Sequence, residues 1–389
     1  MTKRFLPLAL IAILLVVTSL AMPAPTRAAE GIELLDSSTQ IAFPGSLAFK
    51  IKVASTSEVT RIRLHYEVEK MSYARVVSEV WLKFTPGRTV VAQWPWDMRR
   101  ASLPPGATVK YWWTIEDQAD NKLVTPIQKV KFDDIRYSWQ ELTEDKLTIL
   151  WYKGSQIFAQ KLMAGSQEAL ERLAKDTGVY PEKHITMYIY ANSKDLQGAM
   201  VFPREWTGGT AYTKYGTIAI GVSPDNLGWG IKALAHELGH SVIHQITFSP
   251  YGNILPTWLD EGLALHAEGE IDPYLEEWLK KAIEKNRLIS VRSLSSPFSA
   301  IPEQAYISYA QSQSLVDFLI TNYGKDKIFK LLMIFKEGAT CDEALMQVYD
   351  FNQDGLEKLW LQSLPAPGKA QVEPAYDVII MSVALSGAS

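Results

Sequence analysis

Residues 234–245 read LAHELGHSVIHQ and place three histidines four residues apart. Residues i and i+4 of an α-helix project from the same face, with about 5–6 Å between their Cβ atoms. His236 and His240 can therefore grip one metal ion from a single helix. Glu237 is rotated by about 100° from His236, so it lies beside the ion without binding it. The spacing predicts a helix that carries a metal centre.

The chemistry of this pattern favours zinc. A catalytic zinc site needs two such nitrogens, a third protein ligand and an open position for water. The ion lowers the pKa of that water toward about 7, and Glu237 can take its proton and pass it to a leaving amine. The His-Glu-x-x-His pattern therefore predicts one Zn²⁺ ion on His236 and His240, with Glu237 as general base.

His244 does not fit the same shell. It lies about 12 Å along the helix axis from His236. The glycine turn that would bring a third histidine back to the ion is missing, because Ile243 and Ile246 occupy its positions. We expect His244 to be structural or to support a ligand from outside.

The third ligand is expected in residues 256–270, PTWLDEGLALHAEGE. A helix can start at Pro256 or Thr257, and Glu261 then lies one turn in, where its carboxylate can point at the ion. We favour Glu261 for this reason. Three other side chains of the stretch remain alternatives: Asp260, His266 and Glu268.

The chain before the metal helix divides into two regions. Residues 30–135 have a period of two, as in SLAFKIKVA (46–54) and VKYWWTIED (109–117), with turn clusters between the runs. About seven candidate strands in roughly 100 residues favour an antiparallel β-sandwich of immunoglobulin or fibronectin type III kind. Residues 140–364 mix strands and helices and become mostly helical after residue 256, which predicts an α+β domain with a helical C-terminal part.

The N-terminal segment predicts where the protein is targeted, and the C-terminal tail leaves its role open. Residues 1–29 combine Lys3 and Arg4, an apolar run at 5–20 and small residues, a pattern typical of a secretory signal peptide. An uncleaved membrane anchor is the alternative. The tail, residues 365–389, ends in an apolar segment of about ten residues, too short to span a bilayer. The chain is therefore predicted to be secreted or extracytoplasmic, with membrane or cell-surface association through either end left open.

The bulk composition excludes some functions. The net charge of −4 and the sequence pI of about 6.0 do not indicate a nucleic-acid-binding surface. Cys341 is the only cysteine, so the exported chain has no internal disulfide. Its stability must come from its core, with a metal ion as a further contributor.

HELGH followed by WLDEGLA (258–264) closely resembles the paired HExxH and WLNEGxA motifs of the gluzincin metallopeptidases, which include the M1 aminopeptidases. The layout of signal peptide, β-sandwich and zincin domain resembles the smaller peptidase MA-like family. The resemblance covers about residues 147–361 well. It implies that His236, His240 and Glu261 bind zinc and that Glu237 is the general base.

This chain departs from the M1 pattern in two ways. The gap of 20 residues between His240 and Glu261 is slightly longer than usual. The Gly-x-Met-Glu-Asn motif, which recognises the free N-terminus of a peptide substrate in that family, is also missing. Its absence favours endopeptidase over aminopeptidase activity.

The resemblance also implies groups that act on a substrate. A downstream tyrosine often stabilises the oxyanion, and AYISYAQSQSLVDFL (305–319) offers Tyr306 and Tyr309. We favour Tyr309, with simple packing as the alternative. TIAIGV (217–222) precedes the metal helix and is expected to be the edge strand that pairs with a peptide.

The sequence therefore predicts an exported zinc metallopeptidase that acts on peptide or protein substrates. Two alternatives remain. One is a catalytically silent zincin-like binding or adhesion protein that recognises a cell-surface partner through its β-sandwich. The other is a zinc hydrolase of non-peptide amides.

Overall fold

The computed structural model of this chain describes residues 31–203, 208–252 and 255–364. The predicted signal peptide (1–29) and the tail (365–389) lie outside the described residues. No helix within the described ranges is long and apolar enough to cross a membrane.

The N-terminal domain is a β-rich domain whose strands all pair antiparallel. Its seven strands are β1 (Ile32–Ala42), β2 (Ser46–Val68), β3 (Ser78–Trp81), β4 (Gly87–Asp97), β5 (Ala107–Asp117), β6 (Lys122–Val124) and β7 (Gln128–Phe132). Strand β2 is 23 residues long. Its first half pairs with β1 and β4, and its second half pairs with β3 and β5. The register is interrupted around Val59, where the strand changes partners.

The period-two prediction for this domain is confirmed. Leu47, Phe49, Ile51 and Val53 of β2 are fully buried on one face, because successive side chains of a strand point to opposite sides. Alternate residues of β5 are buried in the same core. A β-rich domain is therefore present, and its immunoglobulin or fibronectin type III identity stays a prediction.

The second domain contains a five-stranded sheet and the helices that cover it. The strands are β8 (Gln140–Glu144), β9 (Leu147–Trp151), β10 (Ile185–Tyr190), β11 (Gly209–Tyr212) and β12 (Thr217–Gly221), in the order β11-β12-β10-β9-β8. Strands β9, β10 and β12 are parallel, and the two outer strands are antiparallel to their neighbours. The helices are α1 (Gln156–Thr177), α2 (Ser193–Gln197), α3 (Leu227–Ile246), α4 (Thr257–Glu268), α5 (Pro273–Glu284), α6 (Val291–Leu294), α7 (Pro302–Tyr323), α8 (Lys325–Lys336), α9 (Cys341–Tyr349) and α10 (Gln353–Ser363).

The ends of α1 illustrate how local sequence sets an element. The Ser155 side chain accepts a hydrogen bond from the Phe158 backbone N–H and so caps the first turn. Gly178 ends the helix with φ of 74°, a left-handed conformation that suits glycine. A glycine at this position is a local signal for the end of a helix.

The five-stranded sheet is buried on both faces. Ile149, Met187 and Ile218 point toward the helices and belong to the core of the second domain. Their neighbours in sequence, including Tyr188 and Tyr190, point the other way and pack in the core of the β-rich domain. The sheet therefore joins the two domains, and its helical face carries the metal helix α3.

Candidate metal centre

Helix α3 brings the HExxH residues into the interior. His236, Glu237 and His240 lie in its middle and are all buried. Helix α4 crosses close to α3, because Gly239 leaves room for it: a Cβ at this position would lie 2.9 Å from the Cα of Ala264. The close crossing sets Glu261 of α4 opposite the two histidines.

Three side-chain atoms converge at this crossing. Nε2 of His236 and Nε2 of His240 are 3.2 Å apart. Oε2 of Glu261 lies 3.4 Å from the first nitrogen and 3.6 Å from the second. A tetrahedral zinc ion with bonds of about 2.0–2.1 Å requires about 3.3–3.4 Å between its ligand atoms. Oε2 of Glu261 is also buried and has no hydrogen-bond partner among the described residues, so both the spacing and the chemistry of this group fit zinc.

The outer nitrogens of the same histidines contact two further carboxylates. Nδ1 of His236 donates to Oε1 of Glu268 at 2.8 Å, and Nδ1 of His240 donates to Oδ1 of Asp260 at 3.1 Å. Hydrogen bonds of this kind orient ligand histidines and fix their tautomer. Asp260 and Glu268 therefore lie behind the imidazole rings rather than beside Glu261.

His266, the remaining alternative for the third ligand, does not approach the group. Its Nδ1 donates to Asp317 at 2.8 Å and its Nε2 to Asp176 at 3.1 Å. These contacts join α4 to α7 and α1. His266 therefore holds helices together and is separate from the ligand atoms.

The carboxylates make the centre favourable for positive charge. Burial acts to lower the pKa of His236, but the carboxylates of Glu261 and Glu268 outweigh it and raise the pKa to about 9. Burial likewise opposes the charge on His240, and Asp260 and Glu261 raise its pKa well above the usual value. The same carboxylates would stabilise a divalent cation bound between these groups.

Glu237 lies beside the ligand group and next to strand β11. A Cβ on Gly209 would lie 2.9 Å from Oε1 of Glu237, and the Ala211 backbone donates a hydrogen bond to this carboxylate. Burial raises the pKa of Glu237, against the opposing effect of His236 and His240. Its Oε2 is buried and is not hydrogen-bonded to any residue that the structure describes. This oxygen is available to a water molecule or a substrate.

The two candidate tyrosines of α7 have different surroundings. Burial raises the pKa of Tyr309 well above 10, and the charges of Glu261 and Glu237 add to the shift. The Tyr309 hydroxyl therefore lies within electrostatic reach of both carboxylates and keeps its proton. Tyr306 packs against other aromatic rings, Tyr274 at 5.1 Å and Trp278 at 5.6 Å between centroids. Tyr309 also packs edge to face on Phe298, at 5.2 Å between centroids. Of the two tyrosines, only Tyr309 has a pKa that is raised by the charges of Glu237 and Glu261.

The prediction that residues 217–222 form the edge strand is wrong. Strand β12 lies between β10 and β11. The chain reverses at Gly216, whose φ is 64°, and folds β11 back against β12. Strand β11 is consequently the edge of the sheet next to Glu237. The short hairpin, two β-like runs joined by a turn that ends in glycine, was the sequence feature that could have indicated this.

The supporting role of Glu268 was also missed in the sequence. It follows Glu261 by seven residues, two helical turns, and so shares its face of α4. A carboxylate at that spacing could bind the metal ion itself, or it could accept a hydrogen bond from a histidine that binds the ion. Only the position of helix α3 distinguishes these two roles of Glu268.

Comparison with known families and structures gives one family match. The family described as the Peptidase MA superfamily matches residues 165–366. No curated protein sequence matches the chain. An aminopeptidase N family protein from Idiomarina loihiensis is similar in structure, with 11% identity, a TM-score of 0.40 and coverage of 85% of this chain and 76% of that one. Legionella pneumophila aminopeptidase A in complex with aspartic acid has 9% identity, a TM-score of 0.38 and coverage of 85% and 50%.

Proposed function

The chain belongs to the peptidase MA superfamily, and from this premise we propose that it is an exported zinc metallopeptidase. The observation that carries the proposal is the convergence of Nε2 of His236, Nε2 of His240 and Oε2 of Glu261 at separations of 3.2–3.6 Å. These three residues would hold one zinc ion. Family membership supports peptide or protein substrates.

The proposed chemistry divides among a few side chains. A zinc ion held by His236, His240 and Glu261 would supply Lewis-acid chemistry, which lowers the pKa of water. Glu237 accepts the proton of the attacking water and passes it to the leaving amine. Tyr309 donates a hydrogen bond to the oxyanion that develops on the carbonyl oxygen.

Substrate alignment is assigned to β11. This strand pairs with β12 along one side, and none of the described strands pairs with its other side. An extended peptide could add there as a further strand, with its backbone held by main-chain hydrogen bonds. The contact between Ala211 and Glu237 supports this placement, because it brings the strand next to the general base.

Two finer parts of the proposal rest on the sequence. Export is supported by the signal-peptide pattern of residues 1–29. Endopeptidase action is favoured because the chain lacks the motif that reads a free N-terminus in the M1 aminopeptidases.

A cleavage assay with mass-spectrometric detection tests the proposal. The purified protein is incubated with a diverse peptide mixture, with and without a zinc chelator. Glu237→Gln should keep its zinc and lose at least about 10²-fold in turnover, as expected when a general base is removed. Glu277→Gln, the same change at an exposed residue that pairs with Lys281, is the matched control and should cleave like the wild type.

The products identify the cleaved bonds and separate internal from terminal cleavage. Retained turnover in Glu237→Gln would refute the role of this residue. If no sample cleaves any peptide while each chain binds one zinc ion, the silent binding protein or a non-peptide amide hydrolase becomes the better explanation.

A further inference from the structure

We propose that His244 is a positioning residue for the metal centre, which acts through Asp260 to hold the imidazole of His240 and so tightens metal binding. The inference rests on the metal site of the proposed function. It does not require that the bound metal cleave peptides.

Asp260 is shared between two histidines. Its Oδ1 accepts from Nδ1 of His240 at 3.1 Å. Nε2 of His244 lies 3.0 Å from Oδ1 and 2.9 Å from Oδ2 of the same carboxylate. The three side chains form a continuous hydrogen-bonded row, which leads from the ligand His240 to His244.

The row is nearly closed to solvent. The side chains of His240, Asp260 and His244 are 7%, 12% and 13% exposed. A carboxylate at such a position needs hydrogen-bond partners to offset its loss of hydration. Among the described residues, His244 is the sole partner of Oδ2. Removal of His244 would leave that oxygen unsatisfied and free the carboxylate to turn away from His240.

The geometry of α3 makes His244 an effective support. It lies one turn beyond His240 on the same face of one helix, so the distance between the two rings is set by a rigid backbone. Asp260 precedes the third ligand Glu261 on α4. The bond between His244 and Asp260 therefore fixes both the imidazole of His240 and the start of the helix that presents Glu261.

The carboxylate behind the other ligand, His236, lacks such a support among the described residues. Within these ranges, the Glu268 side chain is hydrogen-bonded to His236 alone. The contribution of His244 is thus specific to the His240 side of the centre. The effect of its loss on metal affinity can be measured.

The same atoms suggest a competing interpretation. One ligand atom from each of His240, His244 and Asp260 lies within 4.8 Å of the others, so this group could hold a metal ion of its own. A second ion would need Nδ1 of His240 without its proton, whereas its contact with Asp260 is that of a donor and an acceptor. We therefore assign hydrogen bonds here, and the experiment must distinguish the two.

The test measures metal binding instead of catalysis. Zinc affinity is determined by competition with a chromophoric chelator, and the visible spectrum of the Co²⁺-substituted protein reports the ligand geometry. His244→Ala should raise the Kd for zinc by about 10-fold, as expected for loss of a support behind a ligand, and should change the cobalt spectrum. His244→Gln keeps a side-chain N–H donor and should restore the Kd to within about 3-fold of the wild type.

His266→Ala is the matched control. His266 is also a nearly buried histidine between two carboxylates, at 12% exposure, but it does not contact the ligand group. Its loss should lower Tm and leave the zinc Kd and the cobalt spectrum unchanged. In an Asp260→Asn background, His244→Ala should change the Kd by less than about 2-fold, because a residue that acts through Asp260 loses its effect without that carboxylate.

Three outcomes would overturn the inference. His244→Ala could lower Tm like His266→Ala and leave the Kd and spectrum at wild-type values, which would make His244 merely structural. Two zinc ions per chain, reduced to one in His244→Ala, would identify a second metal site. A wild-type protein that binds no zinc would refute both the inference and the proposed function, whereas normal zinc binding without cleavage would refute only the function.

Discussion

At the scale of single residues, the centre consists of polar groups in an apolar interior. His236, Glu237, His240 and Glu261 are all at most 5% exposed. Burial of such groups is unfavourable unless each finds a partner. The outer carboxylates satisfy the far sides of both imidazoles, and the inner atoms face one another. A cation bound among these inner atoms would partner all three of them.

Tyr309 yields a prediction at this scale. Tyr309→Phe removes only the hydroxyl that lies within reach of Glu237 and Glu261. We expect turnover to fall by about 10²-fold, the usual effect of losing one oxyanion donor, with zinc content and Tm unchanged. Tyr306→Phe is the matched control, and kinetic assays of the two variants provide the comparison. Equal losses in both variants would contradict the assignment.

At the scale of elements, close helix crossings create the centre. Gly239 allows α4 to approach α3, and Gly262 allows α7 to approach α4, since a Cβ there would lie 2.6 Å from Cγ2 of Val316. Glu261 precedes Gly262 directly. The position of the third ligand thus depends on the absence of a side chain at the next residue.

Gly262→Ala should therefore destabilise the fold. The added methyl group meets the α7 backbone at Ser312 as well as Val316, and overpacking of this kind costs about 1–3 kcal/mol. Gly228→Ala is a control in the first turn of α3, where a Cβ meets nothing within 4 Å. It should be neutral or slightly stabilising. Urea unfolding of both variants measures the difference, and equal stability would show that α7 can move aside.

His266 links α1, α4 and α7, and its contacts predict that the stability of the fold depends on pH. Burial acts to lower its pKa, but the carboxylates of Asp317 and Asp176 outweigh burial and raise it above the ordinary 6.5. A raised pKa stabilises the fold while the group is protonated. The contribution is complete below about pH 6.5 and is lost as pH rises through the folded-state pKa.

The unfolding free energy of the wild type should accordingly exceed that of His266→Ala by more at about pH 5.5 than at about pH 9.5. Urea titrations of both proteins at the two pH values measure this difference. A gap that stays constant would mean that the charge of His266 adds nothing to stability.

At the scale of the whole molecule, the five-stranded sheet belongs to both cores. Residues of β9 and β10 alternate between the helical core and the core of the β-rich domain. Asp134, between the domains, accepts hydrogen bonds from Tyr190 of this sheet and from Arg136. The β-rich domain is thus packed on the back of the sheet whose front carries the metal helix.

Asp134→Asn tests this junction. The Asp134 side chain is fully buried and forms a salt bridge with Arg136, so loss of its charge should cost about 1–3 kcal/mol. Asp133→Asn is the control: Asp133 also accepts from a tyrosine, Tyr188, but is 26% exposed and should cost less than about 1 kcal/mol. Measured free energies of unfolding of both variants test this prediction. Equal destabilisation by the two substitutions would contradict a special role for Asp134.

The sequence alone determined the features that depend on neighbours along the chain. The HExxH spacing places His236 and His240 on one face because helical geometry is local, and the period-two runs of the N-terminal domain follow from strand geometry in the same way. Gly178 as the end of α1 is likewise a local property of the backbone.

The tertiary structure decided where each carboxylate lies and which strand forms the edge. The sequence favoured Glu261 as the third ligand and left Asp260 and Glu268 as alternatives, and the crossing of α3 and α4 directs Glu261 toward the inner nitrogens and the other two toward the outer ones. Strands β11 and β12 are both short β-like runs in the sequence, and their order depends on pairing with the distant β10. Both choices depend on contacts between residues far apart in the chain, which local patterns do not encode.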